Sequence, residues 1–266
     1  MNRKKLVALI MVLALAFTSL VGGTLAYFMD DDEEANVFTM GNVEIDLQEN
    51  FDPDNANLQP GVNINKDVWV QNTGSNEAYV RVHIAIPSEM DNGDPNFDAS
   101  RNFLHFNFDK DSVVFGQWSW LPEFSYGTGY GDDWNFYVAS IPVVKDNPAT
   151  TDVDETVLKP YNVYVVTYRS VLGSGEITGT DVITNVYLDK SVNATATKVK
   201  DENGEDVVAS YTYFDNKGNS FTLTAEEAQN IQIKIIAEGA QTATFENAYD
   251  ALNTAFGVPG TYNPWN

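Results

Sequence analysis

The 266-residue sequence contains no cysteine. Disulfides, thiolate metal sites and a cysteine nucleophile are thereby excluded. Histidine is almost as scarce, with His83 and His105 the only two. Neither stands in a His-x-x-x-His or Glu-flanked zinc spacing. Both fall on the nominal outer face of a strand pattern and read as surface or internally satisfied side chains. No G-x-S-x-G elbow occurs to make a serine nucleophile. The glycines at 127, 129 and 131 are followed by no lysine or helix signal, so no phosphate loop is present. Basic residues are few: 15 Lys and Arg face 38 Asp and Glu, for a formal charge of −23. That balance argues against nucleic acid as a partner and against a basic membrane-surface binder, because both need a Lys/Arg-rich face. Among so many carboxylates a glycosidase-like pair arises by number alone, and nothing in the sequence marks one.

What is present begins with a three-part leader. Arg3, Lys4 and Lys5 precede an uncharged apolar run from Leu6 to Leu20, then small residues Gly22, Gly23, Thr24 and Ala26. This is the layout of a secretory signal peptide, cut after Ala26 or Tyr27. A retained membrane anchor is the alternative, since the uncharged stretch reaches Met29. The flank that follows is Asp30–Glu34, with no positive stop-transfer signal. The expected organisation is a signal peptide over 1–27 and one elaborated domain over 28–266, secreted, with no stable membrane span once processed.

The whole sequence is 43% hydrophobic and 12% aromatic, a folded composition. It is long enough to bury a core without staples. Period-2 alternation dominates. Val43, Ile45 and Leu47 share one parity. So do Val62, Ile64, Val68 and Val70, interrupted by Lys66. The clearest strand places Val80, Val82, Ile84 and Ile86 on one face and Tyr79, Arg81, His83 and Ala85 on the other, ending at Pro87. Asn72–Gly74 supplies the turn between these two runs. Leu104–Phe108, Phe136–Ser140, Asn162–Val171 and Ile231–Ile235 read as further strands, and Val207–Phe214 with Phe221–Leu223 as a hairpin. Asp181–Leu188 is ambiguous, 147–155 reads as a polar loop, and Ala225–Gln229 as a short helical turn. Near the end the period changes: Phe245, Tyr249, Leu252 and Phe256 fall on one helical face, stopped by Gly257 and Pro259. The expected fold is all-β, an antiparallel jelly-roll-like β-sandwich with a short C-terminal helix and long loop insertions.

Three constellations could carry function. Asp91, Asp94, Asn96 and Asp98, with Asn92 and Gly93, place oxygens at nearly alternate positions and form a candidate calcium loop; otherwise they are a solvated turn, and no other cofactor is implied. Trp118, Trp120 and Trp134, among glycines and tyrosines, could stack on a glycan or simply pack. Val37–Leu47 has no proline and a single glycine, so it can form an extended arm that pairs as a strand in its own sheet or in a neighbour's.

Several segments resemble the bacterial TasA/camelysin family. Leu20-Val21-Gly22-Gly23-Thr24-Leu25-Ala26-Tyr27-Phe28 resembles its cleavage region, and Asn36-Val37-Phe38-Thr39-Met40-Gly41-Asn42-Val43-Glu44-Ile45-Asp46-Leu47 its mature start. Leu58-Gln59-Pro60-Gly61 followed by Val68-Trp69-Val70-Gln71-Asn72-Thr73-Gly74 resembles its L-x-P-G … V-x-N-x-G pattern. Ala237-Glu238-Gly239-Ala240-Gln241-Thr242 followed by Ala248–Phe256 resembles its A-E-x-x-Q segment near the C-terminus. Residues 87–220 carry no such likeness. The resemblance implies a jelly-roll protein of the Gram-positive cell surface or biofilm matrix, structural rather than enzymatic. It implies fibres built when the N-terminal segment of one subunit is donated as a strand to the next, with Phe28, Val37, Phe38, Met40, Val43 and Ile45 as assembly residues. The expected partners are further copies of the chain, with a matrix polysaccharide or an anchoring protein beside them. A monomeric adhesin or carbohydrate-binding module is the alternative.

Overall fold

The computed structural model describes residues 42–52, 58–91, 103–106, 118–119, 136–145, 155–179, 181–229 and 231–265. All of them belong to one compact unit, Gly41–Asn266.

Two antiparallel sheets form the body. The first, sheet A, runs in the order β1 (Ile45–Asn50), β2 (Ile64–Asn72), β8 (Ile183–Leu188), β4 (Leu104–Phe106). The second, sheet B, runs β12 (Lys234–Gln241), β3 (Ala78–Pro87), β7 (Glu155–Tyr168), and along the far side of β7 lie β5 (Trp118–Ser119) and β6 (Phe136–Lys145). Alternation decides what faces inward. Val68 and Val70 of β2 and Ile183, Val186 and Leu188 of β8 meet Val80, Val82, Ile84 and Ile86 of β3 and Tyr164 and Val166 of β7 in one core. Fully burying each such aliphatic side chain stabilises the fold by about 1.5–3 kcal/mol. The all-β sandwich expected from the sequence is the observed architecture, and the chain passes back and forth between its two sheets.

The middle of sheet B, around β3, is buried on both faces. Its second face carries Ala85, Ile141, Val143, Tyr161, Val163 and Val165, with Trp265 packed against them. It also receives helix α2 (Ala248–Phe256), whose Ala248, Ala251 and Leu252 sit against Ala240 and Tyr79. The helix is capped by Asn247, whose Oδ1 accepts from the Asp250 amide at 2.9 Å. The buried face therefore keeps Leu252 of the predicted Phe245–Tyr249–Leu252–Phe256 stripe, with Phe245 packed beside it, but is completed by Ala248 and Ala251, while Phe256 stays 39% exposed. A third sheet, β9 (Asn193–Lys200), β10 (Asp206–Phe214) and β11 (Ser220–Thr224), is followed by α1 (Ala225–Gln229). It is tied to the body through Phe221, whose ring meets Phe103 edge-on at 4.6 Å.

Three departures from the pattern reading have physical causes. β7 begins at Glu155, inside the expected loop, and β6 continues through Pro142. Here the two strands pair only with each other among the described residues, and on such edges proline costs no ladder bond. β8 looked ambiguous because its inward parity switches between Ile183 and Val186, where the register with β2 shifts. β9 is exposed on both faces, so no apolar alternation announces it.

Candidate assembly site

β2 ends at Asn72, and the chain crosses to the other sheet through residues 73–77. Asn72 is fully buried and fixes this corner. Its Oδ1 accepts from the Gly74 amide at 3.0 Å, and its Nδ2 donates to the carbonyls of Asn76 and Leu172, each at 2.8 Å. Leu172 lies on the return crossing from β7 to β8, so one side chain joins two of the links between the sheets.

The N-terminal run is laid into this corner. The amides of Thr73 and Gly74 donate to the Glu44 carbonyl at 2.8 and 2.9 Å, and those of Ser75 and Asn76 to the Asn42 carbonyl at 3.0 and 3.2 Å. The Asn42 amide donates in turn to Ser75 Oγ at 3.0 Å. The crossing is so close that a Cβ on Gly74 would stand 2.5 Å from both Asn42 O and Glu44 N. The Asn-Thr-Gly sequence thus has a mechanism: the asparagine pins the corner, and the glycine admits a second backbone. Beyond the corner, Val43, Ile45 and Leu47 pack against the main core, and β1 pairs with β2 from Ile45↔Asn72 to Asn50↔Asp67. On this side Ile45 also meets β12, its Cγ2 lying 2.7 Å from where a Gly239 Cβ would be.

β1 and β12 are the terminal strands of their sheets and form one flank of the sandwich. The opposite flank is made by β4 in sheet A and by β6 with β5 in sheet B. On that flank β6 pairs only with β7 among the described residues, over ten residues. Val138 on β6 and Leu158 on β7 are 63% and 68% exposed.

Of the residues singled out from sequence, Val43 and Ile45 are at the corner; Phe28, Val37, Phe38 and Met40 lie outside the described residues. So do Asp94, Asn96 and Asp98. Asp91, from the same loop, turns inward: it is 4% exposed, accepts from the Tyr164 hydroxyl and lies 3.3 Å from Asn162 Nδ2. Trp118 is placed in the two-residue strand β5, while Trp120 and Trp134 lie outside the described residues.

A second polar constellation escaped the sequence reading. On the outer face of sheet B, Arg81 Nε donates to Glu238 Oε2 at 2.5 Å, its Nη1 to Asn253 Oδ1 at 2.8 Å, and its Nη2 to Gly257 O at 3.0 Å and Tyr262 Oη at 2.7 Å. His83 is 0% exposed and lies between Glu238 (Nε2 to Oε2, 3.1 Å) and the Tyr137 hydroxyl (2.9 Å from Nδ1). Burial pushes the His83 pKa down and outweighs the pull of Glu238. Burial works to raise the Glu238 carboxyl, but His83, Arg81 and Tyr262 overcome it and hold it at about 2. The neutral imidazole therefore donates from Nε2 to an ionised carboxylate and accepts at Nδ1 from Tyr137. The signal available in the sequence was Arg81 and His83 at alternate positions of a strand, opposite a glutamate in Ala237–Gln241.

A metal-dependent peptidase site does not fit these side chains. His83 is enclosed on sheet B, and His105, on β4 of sheet A, pairs with Asp189 at 3.2 Å. Among the described residues no three His, Asp or Glu side chains converge on a metal-sized position, and no helix is long and apolar enough to cross a membrane.

Fold and corner together define an all-β sandwich whose N-terminal run is clamped across the link between its sheets. The family described as camelysin metallo-endopeptidase matches residues 2–104, the stretch that holds this corner. Over that stretch the chain is similar to the TasA/camelysin family, one of extracellular cell-surface and biofilm proteins. No curated protein matches the chain.

Proposed function

We propose that this is a secreted, non-enzymatic structural protein of the cell surface or biofilm matrix. Its subunits join head to tail when residues 28–41 of one copy add as a strand to the next. The observation carrying this reading is the separation of the two flanks. The N-terminal run enters beside β1 and β12, whereas β6, which among the described residues pairs only with β7, lies on the other flank with the exposed Val138 and, on β7, Leu158. An open strand edge is a template for pairing. A contact between two different surfaces of identical subunits does not close on itself, so it grows filaments.

The test is electron microscopy and light scattering of concentrated protein beginning at Phe28, beside a form beginning at Asn42. Filaments from the first and monomers from the second support the reading. Monomers from both, with binding to a polysaccharide, would replace it with the adhesin alternative. Without Arg3, Lys4 and Lys5 a subunit beginning at Phe28 carries a formal charge of −26, so subunits repel one another at low ionic strength, and added salt or calcium is expected to promote assembly. A flat response to both counts against that expectation.

A further inference from the structure

The buried polar constellation on sheet B joins two kinds of partner. Arg81, His83 and Glu238 are carried by β3 and β12, which are hydrogen-bonded neighbours with Arg81 opposite Glu238 and His83 opposite Ile236. Tyr262 and Gly257 come from the segment after α2. Tyr262 donates its hydroxyl proton to Glu238, at 2.6 Å from Oε1 and 2.8 Å from Oε2, and accepts from Arg81; the Gly257 carbonyl accepts from Arg81. Beyond these groups, Trp265 packs against the buried cluster that includes Ala85, Tyr161 and Val163, and Gly260 lies against the Tyr137 side chain. The segment 257–265 could therefore leave without breaking any rung of the β3–β12 ladder, and Arg81 and Glu238 would keep each other.

We infer that residues 257–265 form an acid-released latch over sheet B, closed while His83 is neutral and opened when its ring takes up a proton. The argument is one of charge in a closed space. With His83 neutral, the enclosed Arg81⁺ and Glu238⁻ balance. A second cation leaves one uncompensated positive charge where no water reaches, which is costly. Among the described residues no other charged group faces the ring to compensate it. β6 presents Tyr137, β12 presents Glu238, already ionised, and β3 itself presents Arg81. By register β7 sets Val165 beside His83 and Thr167 beside Arg81. α2 brings Asn253 to Arg81, and the segment itself brings Tyr262. Releasing the segment opens the site to water and relieves the charge.

The direction of the pH effect follows. Burial lowers the His83 pKa below its usual 6.5. The docked form therefore excludes a proton that the released form binds, and docking weakens as pH falls below about 6.5. Glu238, held at about 2, acts in the same direction only below about 4.5. A comparison of pH 7 with pH 5 thus separates His83 from Glu238.

Amide hydrogen exchange of the full-length protein at pH 7 and pH 5, corrected for the intrinsic pH dependence of exchange, tests the latch. Peptides covering 257–265 should lose at least tenfold of their protection at pH 5 while peptides of β3 and β7 keep theirs. H83Q, which can donate and accept but not titrate, should keep the segment protected at both values. Y262F, which removes the hydroxyl held by Glu238 and Arg81, should open the segment already at pH 7 and remains decisive if H83Q does not fold. Equal protection of 257–265 at both pH values in the unaltered chain would overturn the inference. So would a pH response that survives in H83Q, or loss of β3 and β7 protection together with the segment.

Discussion

Replacing Gly74 with alanine perturbs the corner at its tightest point. The added carbon would meet Asn42 O and Glu44 N at 2.5 Å and the Val43 Cα at 3.1 Å, all of them backbone that no rotamer change can move. Relief requires the N-terminal run to lift, which stretches the four bonds from residues 73–76 to the carbonyls of Asn42 and Glu44. Overpacking of this kind costs about 1–3 kcal/mol. Each weakened hydrogen bond adds about 0.5–1.5 kcal/mol, although water can replace part of that at an exposed corner. A loss of about 2–4 kcal/mol is expected. With a urea m-value of about 1–3 kcal/mol/M, the unfolding midpoint should fall by about 1–2 M. Gly173→Ala is the matched control, because its Cβ would meet the Glu176 side chain, whose far end can swing aside. Its midpoint should move by a few tenths of a molar at most. Equal midpoints for Gly74→Ala and the parent chain would refute the account of the corner.

Two further outcomes follow from the same structure. Asn72→Ala should lower stability by about 2–4 kcal/mol, since it strips partners from the Gly74 amide and from two carbonyls in a buried place; thermal unfolding measures this, and a change under about 0.5 kcal/mol would contradict it. The Glu227 carboxyl is held at about 2, chiefly by the hydrogen bond from Lys159 at 2.7 Å and then by the Thr224 amide. A carboxyl lowered in the folded state stabilises above its unfolded value of about 4.5, and that contribution fades as pH falls towards 2. The stability gap between the parent and Glu227→Gln should therefore be present at pH 6, at about 1 kcal/mol for so accessible a pair, and be gone near pH 2. Urea titrations at the two pH values check it.

The strands that bury one face were legible because inward and outward residues alternate. β3 shows this best, and its end at Pro87 was readable too. Its second face was not. Arg81, His83 and Ala85 read as outward-facing, and only the return of the chain's last 20 or so residues, a long-range event without local signature, turns that face into an interior. The helix was legible as a change of period, yet its buried face combines Leu252 with Ala248 and Ala251, two positions that the aromatic spacing did not mark. Lys66 announced itself by interrupting an apolar parity. It is buried and answered by the Glu49 carboxylate and the ring of Phe51, 4.5 Å away. The corner was legible only as a resemblance. The spacing of Asn72 and Gly74 marks a turn, but that a second backbone lies across it is a fact of tertiary structure.

β12 has two faces, and they serve different ends of the chain. Glu238 points outward to the C-terminal segment, and its neighbour Gly239 admits Ile45 of β1. In a filament made by strand donation every subunit is a link in series, and tension enters each link through the run ahead of β1. That pull reaches β12 across the Ile45–Gly239 contact as well as through the β1–β2 ladder. A bulkier residue at 239 would then alter the force a fibre withstands before it alters whether the fibre forms, a distinction that stretching single filaments can measure and that equilibrium unfolding cannot.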